Sequence, residues 1–377
     1  MTAEFSLPAE RVWCNAAHQG PLPDRAAEAV AEVVRWKQEP HHLASSEPFH
    51  RVPSRLRSAL GALIDAPAEE IALANSSSYG IHLVADGLGL VAGDQVIVAS
   101  NDFPSTILPW LRLRNAGVEV VGVQPMRSVL SPDEIAAAIT PRTRVVCLTW
   151  VHSFSGQVID LDAIGELCRS AGVLFVVNGS QGVGAIPLRV HEHPVDVLTS
   201  VGFKWLCGPY GTGFCWLHAD ALDRVGESKL YWLGTMTAED LARPDIDLEA
   251  VEQPAGAARH DVFGTANFFN FAPWATSVEL VLGTGVERIH SHNLGLAALL
   301  ENGIDSGRFE VQDRGDPRRR SSILLLRPVE TDSDEVMRRL VERGIDVAHR
   351  RGLIRLSPHF YNTSDDIDRA VIALADC

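Results

Sequence analysis

The stretch "LFVVNGSQGVGA", Leu174 to Ala185, decides how the chain reads. Four apolar residues in a row, bounded by turn residues, describe a short strand with both faces buried. Asn178 ends it, and small residues carry the chain into a turn. In an open α/β sheet the carboxyl ends of the strands are where ligands sit, so a polar residue there is a candidate site residue.

The same pattern repeats on both sides. "DQVIVAS", "VEVVGVQ", "RVVCLTW", "DVLTSV" and "GTGFCWL" are further short apolar runs. Helical stretches lie among and before them: "PDRAAEAVAEVVRWKQ", opened by Pro23 and Asp24, then "SRLRSALGALID", "DEIAAAI" and "LDAIGELCRSAG". Buried strands joined by helix-length connections predict a doubly wound, mostly parallel α/β domain, placed at 21–274. The segment 220–260 is loop-rich and acidic, and 276–301 reads as one long helix. "SSILLLRP", "DSDEVMRRLVERG", "LIRLSP" and "DDIDRAVIALAD" then predict a smaller α+β domain over 275–377, completed by residues 1–20.

A length of 377 residues accommodates two such bodies. The net charge of −15 argues against nucleic acid and against an anionic membrane surface as partners. No apolar run reaches the length of a membrane span. The amino-terminal stretch lacks the basic start and apolar run of a signal peptide. The six cysteines are scattered with no CxxC pair, as in a reduced, cytoplasmic protein. His41 and His42 are adjacent rather than four apart, so no metal site is expected.

Three strand ends carry chemistry. In "ALANSSSYGIHLV" a helix is expected to start near Tyr79, and Ser77 and Ser78 offer hydroxyls and free N–H groups to an anion, or simply cap the helix. In "VVNGSQGVGA", Asn178 and Gln181 flank a turn. In "LTSVGFKWLCGPYGTGF", Lys204 sits between Phe203 and Trp205. Apolar surroundings disfavour its charge, and a neutral amine is a nucleophile for carbonyl carbon. His152, at the end of "RVVCLTWVHS", is a candidate for the pocket border, and His359 a candidate for the substrate side.

The segments "FVVNGSQGVGAIPL" and "GFKWLCGPYGTGF", with 26 residues from Asn178 to Lys204, resemble the class V aminotransferase family. "NDFPSTILPW", "FGTANF" and "IRLSPHFYNTSDDIDR" extend the resemblance over nearly the whole chain. The family is one of fold-type I pyridoxal-phosphate enzymes. It includes cysteine desulfurases, kynureninases, isopenicillin-epimerase-like proteins and C–S lyases. The resemblance implies that Lys204 binds the cofactor aldehyde, that Ser77 and Ser78 hold its phosphate, that Phe103 stacks on the ring and that Gln181 bonds the ring phenolate. It implies that Arg355 grips the substrate carboxylate, that Asn15 lies in a substrate-side loop, and that Gly264 and Thr265 reach the phosphate of a second subunit in a homodimer.

Three departures from the family pattern matter. Val201 and Phe203 stand where relatives carry serine and histidine for the phosphate, which leaves Ser200 or a residue elsewhere as a substitute. "VERGIDVAHRRGLI" lacks the cysteine that a desulfurase needs. Asn178 stands where relatives carry an aspartate that keeps the ring nitrogen protonated, and a neutral amide cannot supply that charge. A reaction that tolerates a weak electron sink, a replacement made to trap an intermediate, and a relative without turnover all remain open. The expected activity is β-elimination at the C–S bond of an S-substituted cysteine. The alternatives are transamination, epimerisation or decarboxylating deamination of a specialised amino acid, or a chain that binds the cofactor without turnover.

Overall fold

Seven short strands build the central sheet: β1 (Ile71–Ala74), β2 (Gln95–Ala99), β3 (Glu119–Val123), β4 (Thr143–Thr149), β5 (Leu174–Asn178), β6 (Val197–Val201) and β7 (Gly213–Leu217). They come from a computed structural model that describes residues 4–377 except 227–229, 237, 247, 249–250, 253, 265 and 314–315. Their order is β1-β7-β6-β5-β4-β2-β3. The strands from β6 to β3 are mutually parallel, while β7 is antiparallel to both β6 and β1. Along β5, Leu174 and Val176 join one hydrophobic cluster and Phe175 and Val177 the other. An unbroken apolar run thus serves two cores at once, because successive side chains leave a strand on opposite faces.

Helices cover both faces. α1 (Asp24–Gln38), α2 (Glu47–Ile64), α5 (Pro132–Ala138) and α6 (Leu161–Ser170) share a cluster with Phe175, and α3 (Ser77–Gly87) and α4 (Pro104–Leu111) share one with Val176. The expected single helix over 276–301 is two helices, α7 (Phe268–Thr284) and α8 (Val286–Gly303). They meet at Gly285, whose φ of 86° lies in the left-handed region that a side chain resists. α7 also starts earlier than expected, because Phe271 and Trp274 are buried in the same core as Val278 and Val281. It packs against α1 and α2. Residues on either side of the expected 274/275 boundary therefore belong to one helix and one core, and the body changes only beyond Gly285.

The second body is an antiparallel sheet of β8 (Phe309–Val311), β9 (Leu324–Pro328), β10 (Ala348–Arg350) and β11 (Leu353–Leu356), in the order β10-β11-β9-β8. α9 (Ser333–Glu342) and α10 (Ser364–Ala375) cover it. Thr363 caps α10 in a reciprocal pair with Asp366, and Tyr361 takes no part in the cap. Val12 and Cys14 belong to the core of this body, and Val12–Trp13 pair in parallel with Ile345–Asp346. The segment then crosses to the large sheet, where the Gly20 N–H donates to the Phe203 carbonyl at 2.9 Å.

Candidate active site

Because β7 is antiparallel to both neighbours, β1 points the same way as β4, β5 and β6. Their carboxyl ends share one rim, and the rim bounds a cavity of ≈ 340 Å³. Asn75 to Ser78, Phe103, Thr149, Asn178, Gln181, Lys204, Arg350 and Arg355 line it. Among the described residues no aspartate or glutamate lines it, in a chain whose net charge is −15. The cavity is therefore built for an anion.

At one end stands the amino terminus of α3. Ser76 is the cap, its Oγ accepting the Tyr79 N–H at 3.2 Å, which corrects the expectation that Ser77 or Ser78 caps the helix. That leaves the N–H groups of Ser77 and Ser78 in the first helical turn without intrahelical partners, facing an anion-binding end. Both serines line the cavity, as expected.

Lys204 follows β6 in a turn held from three sides. The Trp205 indole N–H donates to Gln181 Oε1 at 2.9 Å, and His359 Nε2–H donates to the Trp205 carbonyl at 2.8 Å. Gly20 closes the third side, where a Cβ would sit 2.1 Å from the Lys204 carbonyl oxygen. The amine opens on the cavity yet has little bulk water around it. Burial first, then Arg355 and Arg350, push its pKa down to about 7. Nζ lies 5.5 Å from the centre of the Phe103 ring, which stacks at 6.1 Å on Phe154.

Asn178 ends β5 inside a directed chain of hydrogen bonds. Asp102, buried before α4, accepts the N–H groups of Phe103 at 2.6 Å and Thr149 at 2.9 Å, and also the Thr149 hydroxyl. With the Thr149 proton committed to that carboxylate, Thr149 Oγ1 accepts from Thr106 at 3.1 Å, and Thr106 in turn accepts from Asn178 Nδ2 at 3.1 Å. The second amide proton reaches Ser105 Oγ at 3.3 Å, and Oδ1 accepts the Ser180 N–H at 3.1 Å. Both amide protons are used, so the remaining valence of Asn178 is a lone pair on Oδ1. Asn178 is thus an acceptor at this strand end.

Arg355 is 3 % exposed on β11, donates from Nη1 to the Ser153 carbonyl at 3.1 Å, and keeps a buried Nε with no partner among the described residues. The remaining donors of its guanidinium, the buried Ser180 Oγ, unpartnered among the described residues, and the helix end match a ligand with a phosphate and a second acidic group. With a partly neutral amine between them, the residues present fit pyridoxal phosphate and an amino acid.

The structure moves several expected residues. Ser200 points away from the cavity: Thr199 faces α3 through its bond to the Ser77 carbonyl, so alternation turns Ser200 to the opposite face. His152 is buried outside the cavity, bonded to Asn101 and Ser155. His359 is fully buried between Asn293 and Trp205, where burial lowers its pKa to about 3, so it ties the two bodies and faces no ligand. Asn15 anchors the amino-terminal loop through the Val347 carbonyl at 3.3 Å, and its neighbours Ala17 and His18 line the cavity instead. Gln181 lines the cavity, but its amide already donates to the Ala17 carbonyl and Ser153 Oγ. Gly264 is exposed, with a φ of 75°, and is not part of the cavity of its own chain; Thr265 lies outside the described residues. Glu39, His41 and His42 do place ligand atoms within 4.8 Å of one another, all exposed on the surface. Sequence reasoning missed Ala17, His18, Tyr210 and Arg350; for Arg350, the doubled arginine ahead of "GLIRLS" was the available signal.

Comparison with known proteins agrees with this geometry. The family model for aminotransferase class-V matches residues 23–370. A probable cysteine desulfurase of Methanothermobacter thermautotrophicus is 27% identical, over 97% of this chain and 94% of its own. Isopenicillin N epimerase of Streptomyces clavuligerus is also 27% identical, over 96% and 93%. Among solved structures, the cystine C-S lyase C-DES superposes with a TM-score of 0.87 at 22% identity, covering 98% of each chain. A C-DES mutant with glycine covalently linked to its PLP cofactor gives a TM-score of 0.89 at 21% identity, over 100% of this chain and 99% of that one. With its fold, cavity and matched length in agreement, the chain belongs to the class V aminotransferase family, and its cofactor is pyridoxal 5'-phosphate.

Proposed function

We propose that this enzyme is a lyase that eliminates a thiol from the β-carbon of an S-substituted cysteine. The observation that carries the proposal is a cavity holding an amine of lowered pKa and no cysteine. All six cysteines are buried and none lines the cavity, so the chain offers no thiol to accept sulfur there. The name of the C-DES relative, a cystine C-S lyase, supports the same reading.

Lys204 would bind the cofactor, with Ser77 and Ser78 at its phosphate, Phe103 against its ring and Asn178 at its nitrogen. The bound group draws electron density from the substrate's Cα, which lets a bond there break. Lys204 would take the α-proton on Nζ; a pKa of about 7 suits a general base near neutral pH. Arg355 holds the α-carboxylate by its fork, a geometry lysine lacks. Loss of the thiolate from Cβ leaves an enamine that hydrolyses to pyruvate and ammonia. A homodimer in which Gly264 and Thr265 serve the partner's site completes the proposal.

The test is release of pyruvate and thiol from a panel of S-substituted cysteines by the holoenzyme. Stoichiometric pyruvate and thiol are expected. Exchange of the α-proton without pyruvate would replace elimination by epimerisation, the activity for which the Streptomyces clavuligerus relative is named.

A further inference from the structure

Arg355 has a companion that the reaction above leaves unused. Ala348 on β10 lies opposite Arg355 on β11. Arg350, two residues beyond Ala348, therefore shares its face and lies diagonally across from Arg355. Both arginines line the cavity, together with Lys204 and His18. Like charges at neighbouring sheet positions repel unless an opposite charge lies between them. Here no described carboxylate pairs with either: the bonds are from Arg350 Nη1 to the His349 carbonyl at 2.7 Å and from Arg355 Nη1 to the Ser153 carbonyl. The pair is kept in a chain with 48 acidic residues, where neutralising partners are plentiful.

The cofactor phosphate does not account for Arg350. Its helix end follows β1, while the Ser153 anchor of Arg355 follows β4, four strand positions away in the sheet. That separation is roughly 19 Å at the usual strand spacing. One arginine suffices for an α-carboxylate. We propose that the substrate is an amino acid with a second anionic group at the end of its side chain, and that Arg350 recognises that group. This rests on the amino-acid reading of the site given above.

The test compares two substrates of nearly equal shape, S-carboxymethyl-L-cysteine and its amide, S-carbamoylmethyl-L-cysteine, on the holoenzyme. Binding is read from the cofactor's visible absorbance and turnover from pyruvate. The acid is expected to bind at least about ten-fold more tightly. Arg350→Gln is expected to bring the acid-to-amide ratio of KM close to one, with Arg350→Lys restoring part of the preference. Retained cofactor absorbance shows that each variant is folded. Equal binding of acid and amide by the wild type would overturn the inference, and so would an unchanged ratio in Arg350→Gln. A clear preference in binding without any pyruvate would uphold the anionic side chain while removing the lyase reading. Pyruvate from both compounds with no preference would do the reverse.

Discussion

Asn178 is neutral where a charge was expected, and the carboxyl group of Asp102, whose pKa burial raises, lies two hydroxyls away. Asp102 orients Thr149 and Thr106 in sequence, so the amide is held with one lone pair of its oxygen left over beside the Ser180 N–H. Asn178→Asp would set a carboxylate against Thr106, whose proton is already committed toward Asp102. The apo-protein is expected to lose about 1–2 kcal/mol in urea unfolding, and Asn178→Asp combined with Asp102→Asn is expected to regain most of it. Lys204 gives a second expectation. With a pKa of about 7, its neutral fraction grows as pH rises through that value, so apo-protein should capture the cofactor aldehyde faster up to about pH 8 and then level off. Stopped-flow absorbance of reconstitution measures the profile. Lys204 and Asn178 were legible because each sits in a short motif at a strand end. The Asp102 relay was not, since it depends on the register of three separate segments.

At the scale of elements, His359 is the bolt between α8, the loop after β11 and the lysine turn. It accepts from Asn293 and donates to Trp205, so only the neutral ring with its proton on Nε2 fits. Its folded pKa of about 3 lies below the unfolded value of 6.5. The stability it contributes is present above pH 6.5 and is lost as pH falls from there toward 3. His359→Ala should cost about 3 kcal/mol at neutral pH, from two stranded partners and a small cavity, and should flatten acid unfolding in this window. Urea titrations at several pH values check both. Its neighbourhood in "SPHFYN" suggested a ligand role, and only the fold reveals that the ring points into the seam between bodies. Helix extents failed for a related reason. α2 begins at Glu47 and runs through Pro53, which is buried, where the sequence suggested a start after that proline. Burial of Val52 and Leu56 outweighs the local preference.

For the whole molecule, the layered sheet and a smaller second α+β body were readable from strand and helix alternation, but not the antiparallel pairing within that body. The seam was not, because the break at Gly285 is one residue inside an otherwise continuous helical pattern. The proposed homodimer belongs to this scale. If Gly264 serves the partner, Lys204→Ala and Gly264→Val are inactive alone but complementary. A mixed dimer holds one intact site, with lysine from one chain and loop from the other. Mixing the two inactive variants after mild dissociation is expected to restore up to about half of the per-dimer activity in mixed species, assayed as pyruvate release. No recovery would place the loop in its own subunit's site.

The amino-terminal crossing has a consequence for biosynthesis. Val12 pairs with Ile345, and Ala16 with Ser357, partners that leave the ribosome more than three hundred residues later. The central sheet is complete once residue 217 has emerged, but the turn bearing Lys204 still lacks the brace supplied by His359 and the late strands that anchor the amino-terminal segment. A nascent chain can therefore collapse early around its large core and still be unable to hold vitamin B6, and loading waits for the last hundred residues to dock.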